Sequence, residues 1–105
     1  MTEQLKPADL GGDMVVATIR RVRLRKSQFI NERTGAKDLR YVVDFEEFRD
    51  RELWLTRGAV TTLVQRYGDE TDGWVGQRCP LVVVTVEVKG ERHTVVRVAP
   101  LKAWT

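Results

Sequence analysis

The stretch that decides the fold is residues 14–25, whose sequence is MVVATIRRVRLR. Apolar residues alternate with other residues in both halves of the stretch, which is the period of a β-strand with one buried face. The phase of this alternation slips by one residue at Arg20 and Arg21. Because a slip in mid-strand is what a β-bulge produces, and because bulges let a long strand bend, the stretch predicts the curved first strand of a small barrel.

Further alternating segments and one helical segment follow this strand. They predict a turn at residues 31–38 and strands at residues 40–46, 52–55, 78–88 and 91–98. The helix lies between the third and fourth strands, where Thr56 suits the N-cap, apolar residues recur at i, i+3, i+4 and i+7 from Val60, and Gly68 ends the pattern. Three strands, one helix and two strands are the order of a five-stranded oligonucleotide/oligosaccharide-binding (OB) barrel. A small open sheet gives a similar order, and we favour the barrel because closure removes exposed strand edges.

Length and composition fit a single folded domain. The 105 residues are 42% hydrophobic and 31% charged, which is enough for one core and argues against extensive disorder. Residues 1–13 show no sustained hydrophobic period, so we expect an N-terminal arm that packs on the rest of the domain through Leu5 and Leu10. Residues 14–105 then form the barrel domain.

No pattern of residues predicts catalysis. His93 and Cys79 are the single histidine and cysteine, so neither has a second ligand at a zinc spacing, and we expect no metal and no cofactor. A lone cysteine suits a reducing compartment, the N-terminus does not read as a signal peptide, and the longest apolar run, Leu81–Val84, is too short to cross a bilayer. The sequence therefore predicts a soluble cytoplasmic protein that is not an enzyme and does not enter a membrane.

Charge is distributed unevenly along the chain. Residues 19–40 contain eight basic residues and two acidic ones, whereas residues 44–52 contain five acidic residues and two arginines. A basic stretch can mark a phosphate-binding surface. It can equally be a solvated strand face that pairs with the acidic segment, and charge alone leaves both interpretations open.

In OB barrels the usual ligand surface is the outer face of strands two and three, flanked by the loops after strands one and four. Basic side chains neutralise phosphates there, and an aromatic ring stacks on bases. In this chain Trp54 is the predicted stacking residue. The predicted phosphate-binding residues are Arg23, Arg25, Lys26, Lys37, Arg40, Lys89 and Arg92.

The tryptophans also have structural interpretations. Trp54 can instead pack against the N-terminal arm or a partner. Trp74, between the helix and the fourth strand, is predicted to plug one end of the barrel. Trp104 can dock on the body or anchor a partner, and the sequence leaves both open.

Four short motifs carry a family resemblance: Lys6-Pro7-Ala8-Asp9-Leu10, Leu53-Trp54-Leu55-Thr56, Tyr67-Gly68-Asp69 and Trp74-Val75-Gly76-Gln77. In this order they resemble a family of small uncharacterised phage- and prophage-encoded proteins with an OB-like fold. That family has leucine-asparagine-lysine before a helix and tryptophan-isoleucine-glycine-lysine after it, whereas this chain has Thr56-Arg57 in place of asparagine-lysine and Gln77 in place of the last lysine. The resemblance implies a phage or prophage setting near replication or recombination, and it supplies no catalytic residues.

Two functions follow as hypotheses. The first is non-enzymatic binding of single-stranded nucleic acid through the basic residues and Trp54. The second is a protein–protein adaptor or assembly subunit, or a homo-oligomer, that uses Trp54, Trp104 and the N-terminal arm as apolar anchors. Phosphate binding is lost as salt is added, whereas an apolar interface survives it.

Overall fold

The computed structural model describes residues 3–11, 14–30 and 37–104, with the side chains of 27–30, 37 and 38 left out of the description. The strands are β1 (Glu3–Gln4), β2 (Val15–Ile30), β3 (Lys37–Phe45), β4 (Arg51–Trp54), β5 (Arg78–Val88) and β6 (Glu91–Val98). The helix α1 spans Arg57–Tyr67, and short 3-10 turns span Pro7–Leu10, Thr71–Trp74 and Leu101–Ala103. The turn predicted at residues 31–38 falls mostly outside the described residues.

Over the described residues these strands form one curled, half-barrel sheet in the order β1-β4-β3-β2-β5-β6. The mostly-β prediction is confirmed, but the prediction of five strands is wrong because the sheet has six. The additional strand is β1, which pairs in parallel with β4 through Glu3 opposite Arg51. Two residues are too few to show a period in the sequence, and their pairing is determined by the edge that β4 leaves open.

The bulge predicted in the long first strand is confirmed. Within β2, Ile19 pairs with Phe45 and Arg21 pairs with Asp44, so the register shifts by one residue between them. The segment before the bulge pairs with β5 and the segment after it pairs with β3. One strand therefore joins both halves of the sheet, and its bend curls them around a common core.

The helix begins and ends where the sequence predicts. The Thr56 side chain accepts a hydrogen bond from the Ala59 N–H at 3.2 Å, which satisfies one of the unpaired donors of the first turn. Gly68 follows the last turn at a φ of 93°, a value that residues with a Cβ rarely adopt. Ala59 and Leu63 are the buried residues of α1.

Trp74 is buried in the core beside this helix, which confirms the structural role predicted for it but does not test its predicted place at one end of a closed barrel. Its ring is buried, lies 5.9 Å from the Tyr41 ring between centroids, and donates from Nε1 to the Gly68 carbonyl at 2.8 Å. The polar edge of the indole is thereby satisfied while its apolar surface fills the core. The rest of the core comes from both halves of the sheet and includes Ala17, Ile19, Val43, Phe45, Leu53, Leu55, Cys79, Leu81 and Val96.

The N-terminal arm docks through the two leucines that the sequence singles out. Leu5 and Leu10 are both buried in the core, and the Leu5 N–H donates to the Glu52 carbonyl at 2.7 Å. Asp9 accepts from the Lys6 N–H at 2.9 Å and from Arg51 Nε at 3.1 Å. The hydrogen bond from the Lys6 backbone lowers the pKa of Asp9, and Arg51 lowers it further.

The Trp74 plug gives a test of the core. We expect Trp74→Ala to lower the free energy of unfolding by about 3–5 kcal/mol, because it leaves a cavity in the core. Guanidinium chloride unfolding followed by circular dichroism measures this loss. Val75→Ala, at the exposed neighbouring position, is the matched control and should leave stability within about 0.5 kcal/mol of the parent. Equal stability of the two variants would contradict the assignment.

Candidate nucleic-acid interface

The outer face of β2, β3 and β4 carries a compact group of charged and aromatic side chains. Register places Arg25 opposite Arg40, while Val42 lies opposite both Arg23 and Trp54. In the next row, Asp44 lies opposite Arg21 in β2 and Glu52 in β4. We call this surface the arginine face; it consists of Arg21, Arg23, Arg25, Arg40, Val42, Asp44, Glu52 and Trp54.

Two carboxylates form the lower layer of the arginine face. Asp44 is 3% exposed and Glu52 is 5% exposed. Asp44 accepts from Arg21 Nε at 2.8 Å and from Arg23 Nη2 at 2.7 Å, and the same Arg23 nitrogen lies 3.5 Å from Glu52 Oε1. Charge-assisted hydrogen bonds of this kind are stronger than neutral ones. Both carboxylates are therefore ion-paired with arginines of the same face.

Trp54 is held from two sides. Its Nε1 donates to Glu52 Oε2 at 2.6 Å, and the Arg40 guanidinium lies over its ring at 5.7 Å from the centroid. Arg40 is itself fixed, because its Nη2 donates to the Leu55 carbonyl at 2.8 Å. The indole is partly exposed in an orientation that its neighbours determine.

The solvent-facing layer is cationic. Four arginines against two carboxylates leave this face with a formal charge of +2, and both carboxylates lie beneath. The side chain of Arg21 is 55% exposed although it is ion-paired, and Arg25 is also exposed, whereas Arg23 is mostly buried. An approaching ligand therefore meets guanidinium groups and the indole, while the carboxylates remain shielded.

The structure brings together some of the predicted site residues and separates others. Arg23, Arg25, Arg40 and Trp54 share the arginine face. Lys26 is exposed on the opposite face of β2, where it lies across from Leu39. The side chain of Lys37 lies outside the described residues. Lys89 and Arg92 belong to the β5–β6 hairpin, on the other side of β2 from β3.

Sequence reasoning missed the role of Asp44 and Glu52. It left open whether the acidic segment of residues 44–52 pairs with the basic stretch, and it did not single out these two carboxylates, which pair with Arg21 and Arg23. The sequence did contain one indication of this role, because residues two apart on a strand point to the same face. Asp44 therefore shares a face of β3 with Val42, and Glu52 shares a face of β4 with Trp54. Which arginine each carboxylate contacts depends on the register between strands, and the sequence of one strand does not show that register.

Among the described residues, Cys79 and His93 lie apart on the β5–β6 ladder, because His93 pairs with Val86. Cys79 is buried, and this burial raises the pKa of its thiol to about 12. His93 is exposed on β6, with its Nε2 3.5 Å from Glu91 Oε2. Within the described ranges, no three histidine, cysteine, aspartate or glutamate side chains are grouped as metal ligands. Among the same residues, no helix is both long enough and apolar enough to cross a membrane.

The carboxylate layer can be tested by Asp44→Asn. The change keeps the side-chain shape but removes the charge beneath two guanidinium groups, so we expect a loss of about 3 kcal/mol in the free energy of unfolding. Urea unfolding at neutral pH measures it. Asp50→Asn, at an exposed turn position, should change stability little and is the control. An unchanged midpoint for Asp44→Asn would show that the pairing contributes nothing to stability.

The burial of the Cys79 thiol can be tested by its reactivity. Because the thiolate is the reactive form and the pKa of Cys79 is raised to about 12, the native protein should resist an aromatic disulfide reagent near neutral pH. The denatured protein should react at once. Rapid labelling of the native protein would show that Cys79 is accessible and ionised.

This chain matches no protein-family model, no curated protein and no solved structure. Its function is therefore inferred from the arrangement of its own side chains.

Proposed function

We propose that the protein is a non-enzymatic, single-stranded nucleic-acid-binding protein of phage or prophage origin, with an OB-like fold. One observation carries the proposal. On the arginine face the carboxylates that would repel phosphate are buried beneath guanidinium groups, and a partly exposed indole lies among those cations.

The connectivity of the sheet supports the OB-like assignment. The strands from β2 onward have the spatial order β4-β3-β2-β5-β6, and the helix lies between β4 and β5. A partly open five-stranded barrel with a ligand surface on its second and third strands fits this order. β3 and β4 would be those two strands, and both contribute to the arginine face.

The chemistry of this face favours a single strand over a duplex. Arg21, Arg25 and Arg40 offer guanidinium groups to phosphate oxygens, and Trp54 offers a ring on which a base can stack. Stacking requires an exposed base face, which a duplex covers with its own neighbouring pairs. Because neither contact reads the hydrogen-bonding edge of a base, sequence preference should be weak.

Salt dependence is the first test. If about three phosphates are neutralised, affinity for a labelled oligothymidylate should fall about 20-fold between about 50 mM and about 200 mM salt. Fluorescence anisotropy measures the dissociation constant at each salt concentration. Absence of binding at the lower concentration would overturn the proposal.

Variants on the arginine face form the second test. We expect Trp54→Ala to weaken oligothymidylate binding by about 1–3 kcal/mol, as the loss of one stacked base would. Trp54→Phe should retain most of the affinity because it keeps a ring. Arg25→Glu should weaken binding more steeply at low salt, whereas Arg57→Glu, an exposed arginine at the start of α1, is the matched control. Arg23 is unsuitable for this test because its loss would uncover Asp44.

Protein binding is a second candidate function, supported by a different observation. Leu24 and Leu39 are both largely exposed, and they lie on the core-side face of the β2–β3 hairpin beyond the buried part of the sheet. Trp104, Leu5 and Leu10, by contrast, already pack within the domain. Binding of a protein partner that persists in high salt and is lost in Leu24→Ser would favour this candidate.

A further inference from the structure

A hollow of about 400 Å³ lies at the start of β2, before the bulge, whereas the arginine face lies after the bulge. It is bordered by the start of β2, the start of β5, the end of α1 and the C-terminal segment. The side chains that matter for its chemistry are Met14, Val16, Arg66, Tyr67, Arg78 and Trp104. Its volume falls in the range of sites for small organic ligands.

One wall of the hollow is aromatic. The rings of Tyr67 and Trp104 lie 5.7 Å apart between centroids at an interplanar angle of 51°. The Tyr67 hydroxyl donates to the Arg78 carbonyl at 2.6 Å, and Trp104 Nε1 donates to the Ala99 carbonyl at 2.7 Å. Because the polar atoms of both rings have partners within the protein, the rings offer the hollow apolar surface. Val16, which is 46% exposed, extends that surface.

The hydrophilic part of the hollow is cationic. Arg66 and Arg78 both line it, and the Arg66 guanidinium lies 5.6 Å from the centroid of the Tyr67 ring. Among the residues that the structure describes, no carboxylate belongs to the lining and neither arginine forms an ion pair. Two guanidinium groups beside an apolar wall complement a ligand that has both an anionic group and a flat apolar body.

We propose that this hollow binds a small aromatic anion, in which a ring lies against Tyr67 and Trp104 and the anionic group meets Arg66 and Arg78. A nucleoside monophosphate and an aromatic carboxylate share this chemistry. The ring supplies contact area and the guanidinium groups orient the charge.

This site is separate from the arginine face. Between them, on the outer side of β2, Thr18 donates from its backbone N–H to Glu47 Oε1 at 2.7 Å and from its hydroxyl to Glu47 Oε2 at 2.9 Å. Burial of Glu47 raises its pKa, but the hydrogen bonds from Thr18 outweigh burial and leave the pKa lowered, so this carboxylate is ionised at neutral pH. A negative charge between the two cationic surfaces opposes one phosphate chain that runs across both.

The test is a titration of the ¹⁵N-labelled chain with four probes: thymidine monophosphate, thymidine, indole-3-acetate and inorganic phosphate. At least one of the two aromatic anions should shift the amide signals of Gly76 and Gln77 and the indole N–H signal of Trp104. Thymidine, which lacks an anionic group, and inorganic phosphate, which lacks a ring, should each bind at least about tenfold more weakly than that aromatic anion. A response to thymidine monophosphate alone would identify a nucleotide site, and a response to indole-3-acetate alone an aromatic carboxylate site. No saturable shift with either would overturn the proposal.

Paired variants locate the binding. Val16→Glu places a carboxylate in the hollow and should abolish binding of the aromatic anion, whereas Val88→Glu, at a valine 51% exposed on β5, should not. Arg78→Gln should weaken binding about tenfold, and Arg57→Gln should leave it unchanged. Equal affinity across each pair would overturn the proposal. Trp54→Ala should leave this binding intact although it weakens oligonucleotide binding, so the two proposals can fail independently.

Discussion

The register shift between Ile19 and Arg21 is the constraint on which the rest of the structure depends. Before it, β2 pairs with β5 and buries Ala17 and Ile19; after it, β2 pairs with β3. A strand without the shift would direct alternate residues to one face throughout, and the arginines at 21, 23 and 25 would then point toward the core. The bulge therefore bends the sheet around one core and also places three arginines on its outer face.

Once these arginines face outward, their positions follow from neighbouring strands. Arg21 and Arg23 share Asp44, Arg23 approaches Glu52, and Glu52 accepts from the Trp54 indole. The chain of contacts runs across three strands, so the orientation of the ring is coupled to the pairing of β2 with β3. The arginine face is a property of the sheet rather than of any one segment.

The sequence was sufficient to predict the elements whose signals are local. The alternation around Arg20 located the bulge, the apolar spacing from Val60 located the helix, and the polar pair Lys89-Gly90 located a hairpin in which both residues have positive φ. The sequence was insufficient to predict contacts between residues that are distant along the chain. Nothing near Glu3 indicates that it pairs with β4, and nothing near Asp44 indicates that it lies beneath Arg21, because both facts depend on register between strands that other residues determine.

The buried carboxylates are difficult to explain by stability alone. Removing a carboxylate and a guanidinium from water costs several kcal/mol, and an apolar replacement of similar volume is often at least as stable. Val42 shows that this outer face can bury an apolar side chain completely. Asp44 and Glu52 instead hold Arg21 and Arg23 in fixed orientations and tie the indole of Trp54 to the same group. A surface that only had to cover the sheet would not need that arrangement, whereas the proposed binding of a polyanion would use oriented cations and a ring.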